Sequence, residues 1–100
     1  MKARLVRHDK ITDDLGNTVE IKIWSVPQTS DKPDGYKYSL VYIVNGQRLI
    51  GYDNAEGKGH HVHLADIEKA YKFISLEKVA ADFFIEIGNY KRSLHEDKKS

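Results

Sequence analysis

The chain has 100 residues, of which 40% are hydrophobic and 31% are charged, and its formal net charge is +1 at pH 7. This length and composition predict a single globular domain over residues 1–100 and exclude a disordered chain. The small net charge excludes strong recruitment to nucleic acid or membranes by overall charge, and the absence of cysteine excludes disulfides and thiolate metal sites. Because the chain has neither a signal peptide nor a run of about 20 apolar residues, we expect a cytoplasmic protein that does not enter the membrane.

The first part of the chain has the patterns of β-strands. Residues 2–10 mix apolar and basic side chains, which is typical of an edge strand. Residues 18–24 alternate between apolar and polar side chains, which predicts a half-buried strand. Pro27 ends this strand because proline cannot donate to a hydrogen-bond ladder, and a polar loop follows over residues 28–35.

Asn45-Gly46 predicts a tight hairpin turn, because both residues tolerate the positive φ angles of a type I′ turn. It joins a strand over residues 36–44 to a strand over residues 47–53. Counting from a two-residue turn predicts the pairs across the hairpin, among them Tyr42 with Leu49, Leu40 with Gly51, and Tyr38 with Asp53. Gly51 would then leave a gap beside the Asp53 carboxylate. Both faces of the hairpin are largely apolar, so we expect it at the centre of the sheet and covered on both sides for part of its length.

The last third of the chain predicts a long amphipathic helix. Ser75 is a good N-cap, and Glu77 suits the positive end of the helix dipole. Apolar residues then recur at steps of three and four, which defines one buried helix face: Leu76, Val79, Ala80, Phe83, Phe84, Ile87, Tyr90 and Leu94. Residues 71–74 are a candidate fifth strand, and the tail from His95 is expected to fray. The predicted fold class is α+β, an antiparallel sheet of four to five strands packed against a long C-terminal helix.

Residues 51–64 contain three of the five histidines, together with an Asp-Asn pair and a lone lysine. In an extended segment, His61 and His63 project to one face and His60 to the other. A same-face pair of imidazoles can act as general acid and base near neutral pH. The pair can also bind a first-row metal with a carboxylate such as Asp53 or Asp66, but two histidines without cysteine leave such a site short of ligands. Exposed histidines that only cap backbone groups are the plain structural alternative.

A second group of residues suits anions and nucleobases. Lys58 lies between two glycines, where backbone N–H groups and the ammonium can hold a phosphate, although the spacing is not that of a P-loop. Arg48 is a further cation that suits RNA phosphates. Tyr38 and Tyr52 can stack on bases. Each feature also has a structural alternative, since a Gly-Lys-Gly segment forms plain surface turns and tyrosines in strands commonly pack in the core.

Four segments resemble the TumE-type toxin family of prokaryotic toxin–antitoxin modules: Tyr36 to Leu40, Arg48 to Asn54, Gly57-Lys58-Gly59 and His61-Val62-His63. The opening Met-Lys-Ala, the segment from Ile23 to Pro27 and the C-terminal helix are similar to that family as well, so the likeness covers most of the chain. Five residues fall on polar positions that the family shares: Asp53, Asn54, Lys58, His61 and His63. His60 departs from the pattern, since relatives often have Asp there, which argues against a role for this residue.

The resemblance implies a small toxin that a cognate antitoxin protein neutralises and that acts as a ribonuclease on RNA or ribosome-bound mRNA. In the leading hypothesis, no metal or other cofactor takes part. His61 and His63 exchange protons with the substrate, Asp53 orients one of them, and Lys58 stabilises the charge on phosphorus. The expected substrate-binding residues are Arg48, Asn54, Tyr38 and Tyr52. Two alternatives stay open: a non-catalytic binding module that acts only in a complex, and a metal-dependent nuclease that uses His61, His63 and Asp53.

Overall fold

The computed structural model of the chain describes residues 3–55, 57 and 59–99, with side chains up to residue 95. Six β-strands precede one helix: β1 (Arg4–Thr12), β2 (Thr18–Ser25), β3 (Tyr36–Val44), β4 (Gln47–Asp53), β5 (His61–Leu64), β6 (Ile67–Ala70) and α1 (Leu76–Lys99). Each strand pairs antiparallel with the next, so the sheet order follows the chain order from β1 to β6. The α+β class and the long C-terminal helix are confirmed, and the sheet of six strands is slightly larger than the four to five predicted.

The core lies between one face of the sheet and α1. Burial alternates along β2 and β3. The buried apolar side chains of β2 to β5 face the helix: Val19, Ile21, Ile23, Tyr38, Leu40, Tyr42, Ile50, Tyr52 and Val62. From α1, Val79, Phe83 and Ile87 pack against this face at the three- to four-residue steps that the sequence predicts. Phe84 belongs to the predicted stripe but is 50% exposed. One residue step turns it about 100° away from Phe83, and this takes it out of the interface.

The helix α1 begins where the sequence predicts. The Ser75 hydroxyl accepts a hydrogen bond from the backbone N–H of Lys78 at 3.0 Å, which caps the first turn. The prediction of a strand over residues 71–74 is wrong, since β6 ends at Ala70. The aromatic side chains of Tyr71 and Phe73 pack against the core instead. The tail from His95, which the sequence predicts to fray, has helical backbone as far as Lys99. Within the described residues, no helix is long and apolar enough to cross a membrane.

A β-bulge at Leu49 shifts the register of the central hairpin. The Asn45-Gly46 turn forms as predicted, with φ angles of 53° and 75°, and Val44 pairs with Gln47. Beyond the bulge, three pairs differ from the predicted ones: Tyr42 pairs with Ile50, Leu40 with Tyr52 and Ser39 with Asp53. The three predictions that paired Tyr42 with Leu49, Leu40 with Gly51 and Tyr38 with Asp53 are therefore wrong.

Burial of apolar side chains explains the bulge. In the predicted register, Ile50 and Tyr52 would point away from the helix and Asp53 would point toward it. The extra residue reverses the two faces of β4, so Ile50 and Tyr52 are only 3% and 4% exposed. Asp53 lies on the opposite face together with Gly51. The gap expected at Gly51 is filled, because the Arg48 side chain lies so close that its Cδ is 2.8 Å from where a Cβ would be.

The sheet face that points away from α1, here called the open face, carries the polar side chains. Because the strands pair in register, residues line up in rows across it. One row contains His8, Lys22, Ser39, Asp53 and His61, and the next contains Lys10, Glu20, Val41, Gly51, His63 and Glu68. Within the described part of the chain, the expected cover on both faces of the central hairpin is present only on the helix side.

Candidate functional site

Pairing of β4 with β5 brings Asp53, His61 and His63 together on the open face. Asp53 pairs directly with His61, and Gly51 pairs with His63. One ligand atom from each of the three side chains lies within 4.8 Å of the other two. The two imidazole centroids are 5.4 Å apart, with an interplanar angle of 76°. The two histidines thus share one face of an extended strand, as their spacing predicts.

Glu68 on β6 is the fourth member of this group, and we call Asp53, His61, His63 and Glu68 the histidine cluster. Its Oε1 lies 3.4 Å from Nε2 of His63 and 3.6 Å from Nε2 of His61. Sequence reasoning missed Glu68, because β6 has four exposed residues and therefore no burial pattern. A short turn after Leu64 folds β6 back along β5, and its positive φ of 56° falls on Ala65, a residue type that does not predict such a turn.

His61 is 8% exposed, and both of its ring nitrogens have partners. Nε2 lies 2.7 Å from Asp53 Oδ1, and Nδ1 lies 3.2 Å from the backbone carbonyl oxygen of Gly59. A carbonyl oxygen and an ionised carboxylate can only accept hydrogen bonds. Both contacts are therefore satisfied when His61 carries a proton on each nitrogen and forms an ion pair with Asp53.

His63 has a different environment. Burial lowers the pKa of His63, the charge of Arg48 lowers it further, and Glu68 opposes the shift. The Arg48 side chain reaches this point because it lies across Gly51, the cross-strand neighbour of His63. A lowered pKa favours the neutral imidazole at pH 7, which is the form that accepts a proton. The two imidazoles of the histidine cluster thus have different surroundings, His61 beside a carboxylate and a carbonyl oxygen and His63 beside Arg48 and Glu68.

The structure places Tyr38 and Tyr52 on the helix side of the sheet, away from the histidine cluster. They are 0% and 4% exposed, and burial raises the pKa of both phenols. The Tyr52 ring packs edge-on against Phe83, with the ring centroids 6.2 Å apart. Both tyrosines therefore pack in the core, and neither presents a ring to the open face.

The loop between β4 and β5 carries the other predicted residues. Gly57 and Gly59 have φ angles of 70° and 73°, which glycine adopts readily, and Lys58 between them lies outside the described residues. His60 turns away from the histidine cluster and stacks on Phe73, with centroids 4.4 Å apart and an interplanar angle of 16°. His60 therefore packs on the helix side of the sheet.

Asn54 is 4% exposed, and its side chain connects the end of β4 to β3 through hydrogen bonds. Its Oδ1 accepts a hydrogen bond from the Tyr38 N–H at 3.0 Å, and its Nδ2 donates to the Tyr36 carbonyl at 2.8 Å. We expect Asn54→Ala to lower the free energy of unfolding by about 1–3 kcal/mol, because it leaves the buried N–H of Tyr38 without its partner. Urea denaturation of the purified variant measures the loss.

The exposed helical residue Asn89 offers a matched control. Asn89→Ala is expected to change the free energy of unfolding by less than about 0.5 kcal/mol. If Asn54→Ala instead keeps full stability and weakens substrate binding, Asn54 belongs to the substrate site, as the sequence suggested.

The sequence model of the family described as Toxin TumE matches residues 2–91. The chain therefore belongs to this toxin family. The matched region spans all of the strands and most of α1, so it includes the whole histidine cluster. Comparison with curated proteins and with solved structures gives no match.

Proposed function

We propose that this toxin cleaves RNA without a metal and thereby inhibits translation, and that a cognate antitoxin protein neutralises it. Membership of the toxin family supports the toxin role and the antitoxin partner. The observation that carries the cleavage activity is the pair of imidazoles on the open face, of which His61 contacts the Asp53 carboxylate and His63 has a lowered pKa that favours its neutral form. Attack of an RNA 2′-hydroxyl on the adjacent phosphorus needs such a pair, one group to take a proton and one to give it.

The two histidines have distinct proposed roles. His63 takes the 2′-hydroxyl proton as that oxygen bonds to phosphorus. His61 gives a proton to the 5′ oxygen as the bond from phosphorus to that oxygen breaks. The Gly59 carbonyl holds Nδ1 of His61, so the proton delivered is the one on Nε2, which faces the histidine cluster. Asp53 holds the ring and stabilises the imidazolium, and the products are a 2′,3′-cyclic phosphate and a 5′-hydroxyl.

Cations near the histidine cluster can bind the phosphate of the RNA. Arg48 lies across Gly51 beside His63, where its guanidinium can hold a non-bridging oxygen of the phosphate. Lys58 is proposed to stabilise the charge that develops on phosphorus, as the resemblance implied. Lys22 lies in the same row as Asp53, two strands away, and extends the positive charge along the open face.

The experiment that tests this function incubates the purified chain with an RNA oligonucleotide in a buffer that contains a chelator. We expect fragments that end in a 2′,3′-cyclic phosphate. The matched substrate carries a single 2′-deoxy nucleotide at the cleaved position and should stay intact. Expression of the chain should slow growth, and co-expression of the antitoxin should restore it. Intact RNA, intact ribosome-bound mRNA and normal growth would together refute the proposal.

A further inference from the structure

We propose that the histidine cluster also forms a binding site for a divalent first-row metal ion of the zinc class. The sequence left such a site short of ligands, and Glu68 supplies the missing one. Its Oε1 lies 3.4 Å and 3.6 Å from the Nε2 atoms of the two histidines. Ligands at about 2.0–2.1 Å from zinc in a tetrahedron lie about 3.3 Å from one another, so these spacings are close to those of an occupied site. The shorter contact between His61 and Asp53, at 2.7 Å, would open by about 0.6 Å as the ion replaces the shared proton.

The contact of His61 with Gly59 is a second observation that points to a metal. A histidine that ligates a metal usually donates its other N–H to a carbonyl or carboxylate, which fixes the ring and aims the free nitrogen at the ion. The Gly59 carbonyl has this role at 3.2 Å from Nδ1, so Nε2 faces the centre of the histidine cluster. The Asp53 and His63 side chains are only 15% and 17% exposed, which limits competition from water.

The chemistry of the ligands selects the class of ion. Two imidazoles and two carboxylates suit zinc and its first-row neighbours, whereas magnesium and calcium prefer oxygen ligands alone. The metal site rests on geometry, but its effect on RNA cleavage rests on the proposed function. An ion at this position occupies the Nε2 lone pair of His63 and takes Asp53 away from His61. Zinc is therefore expected to inhibit RNA cleavage.

The test follows Zn²⁺ binding by isothermal titration calorimetry, with protein that has been stripped by a chelator and then exchanged into chelator-free buffer. We expect one ion per chain. Glu68→Gln and His63→Asn should each weaken binding by at least about tenfold. His8→Asn is the matched control, since it removes another histidine of the open face, one that contacts Glu20 at 2.8 Å, and it should leave binding unchanged. Circular dichroism confirms that each variant is folded.

The outcomes separate this inference from the proposed function. Absence of saturable binding, or equal binding by the wild type and His63→Asn, overturns the metal site. Zinc binding together with cleavage that zinc suppresses supports both proposals. Zinc binding by a protein that never cleaves RNA supports the site and removes the proposed function. Cleavage that requires zinc supports the site and refutes the metal-free mechanism.

Discussion

Replacing His63 with asparagine is expected to abolish toxicity and to lower the rate of RNA cleavage by about 10²–10⁴-fold, the contribution typical of one general acid or base. Asparagine retains a polar side chain of similar size but has no group that accepts a proton near neutral pH. The fold should tolerate the change, because the contact of His63 with Glu68 at 3.4 Å is too long for a strong hydrogen bond. Initial rates of cleavage in a chelating buffer and growth after induction measure the two effects.

His8→Asn is the matched control for toxicity as well. It is the same substitution on the same open face, but on β1, outside the histidine cluster. We expect its cleavage rate and its growth inhibition to equal those of the wild type. If His63→Asn inhibits growth as strongly as the wild type, His63 is not the base. A non-catalytic module that blocks its target by binding then becomes the better hypothesis.

Replacing Phe83 with alanine is expected to lower the free energy of unfolding by about 3–5 kcal/mol. Phe83 is 0% exposed and lies where α1 meets the sheet, with its ring edge-on to Tyr52. Alanine removes the buried ring and leaves a cavity that the packed strands cannot fully close. Since a domain is stable by only about 5–15 kcal/mol in total, this loss is a large part of the stability. Urea denaturation followed by circular dichroism measures it.

The neighbouring residue provides a close control. Phe84→Ala makes the same substitution one position along the same helix, so any change in helix propensity is matched. Phe84 is 50% exposed, and we expect its replacement to change the free energy of unfolding by less than about 0.5 kcal/mol. Equal losses in the two variants would mean that α1 packs through a different face from the one described above.

The elements of the fold that the sequence predicted are those encoded by local patterns. The alternation over residues 18–24 and the N-cap at Ser75 depend on neighbours in sequence, and both are found in the structure. The bulge at Leu49 could not be predicted in this way. The bulge depends on the packing of Ile50 and Tyr52 against α1, which is a contact between distant parts of the chain.

The candidate site was predictable to the same extent. Alternation along an extended strand was enough to place His61 and His63 on one face. The contact of His61 with Asp53 depends on how β4 and β5 pair across a long loop, and counting from a tight turn does not give that register. Glu68 was missed because β6 is too short and too exposed to show a pattern.

The bulge at Leu49 also limits how this chain can change in length during evolution. Successive side chains of a strand point to opposite faces of the sheet. Gaining or losing one residue between Gly46 and Asp53 would therefore move every later side chain of β4 to the other face. Such a change would carry Asp53 into the core and turn Tyr52 out to water. The loop over residues 28–35 has no such constraint, because its length does not affect the side on which any strand residue lies. Relatives that retain the site should therefore differ in length at that loop while the count from Gly46 to Asp53 stays fixed.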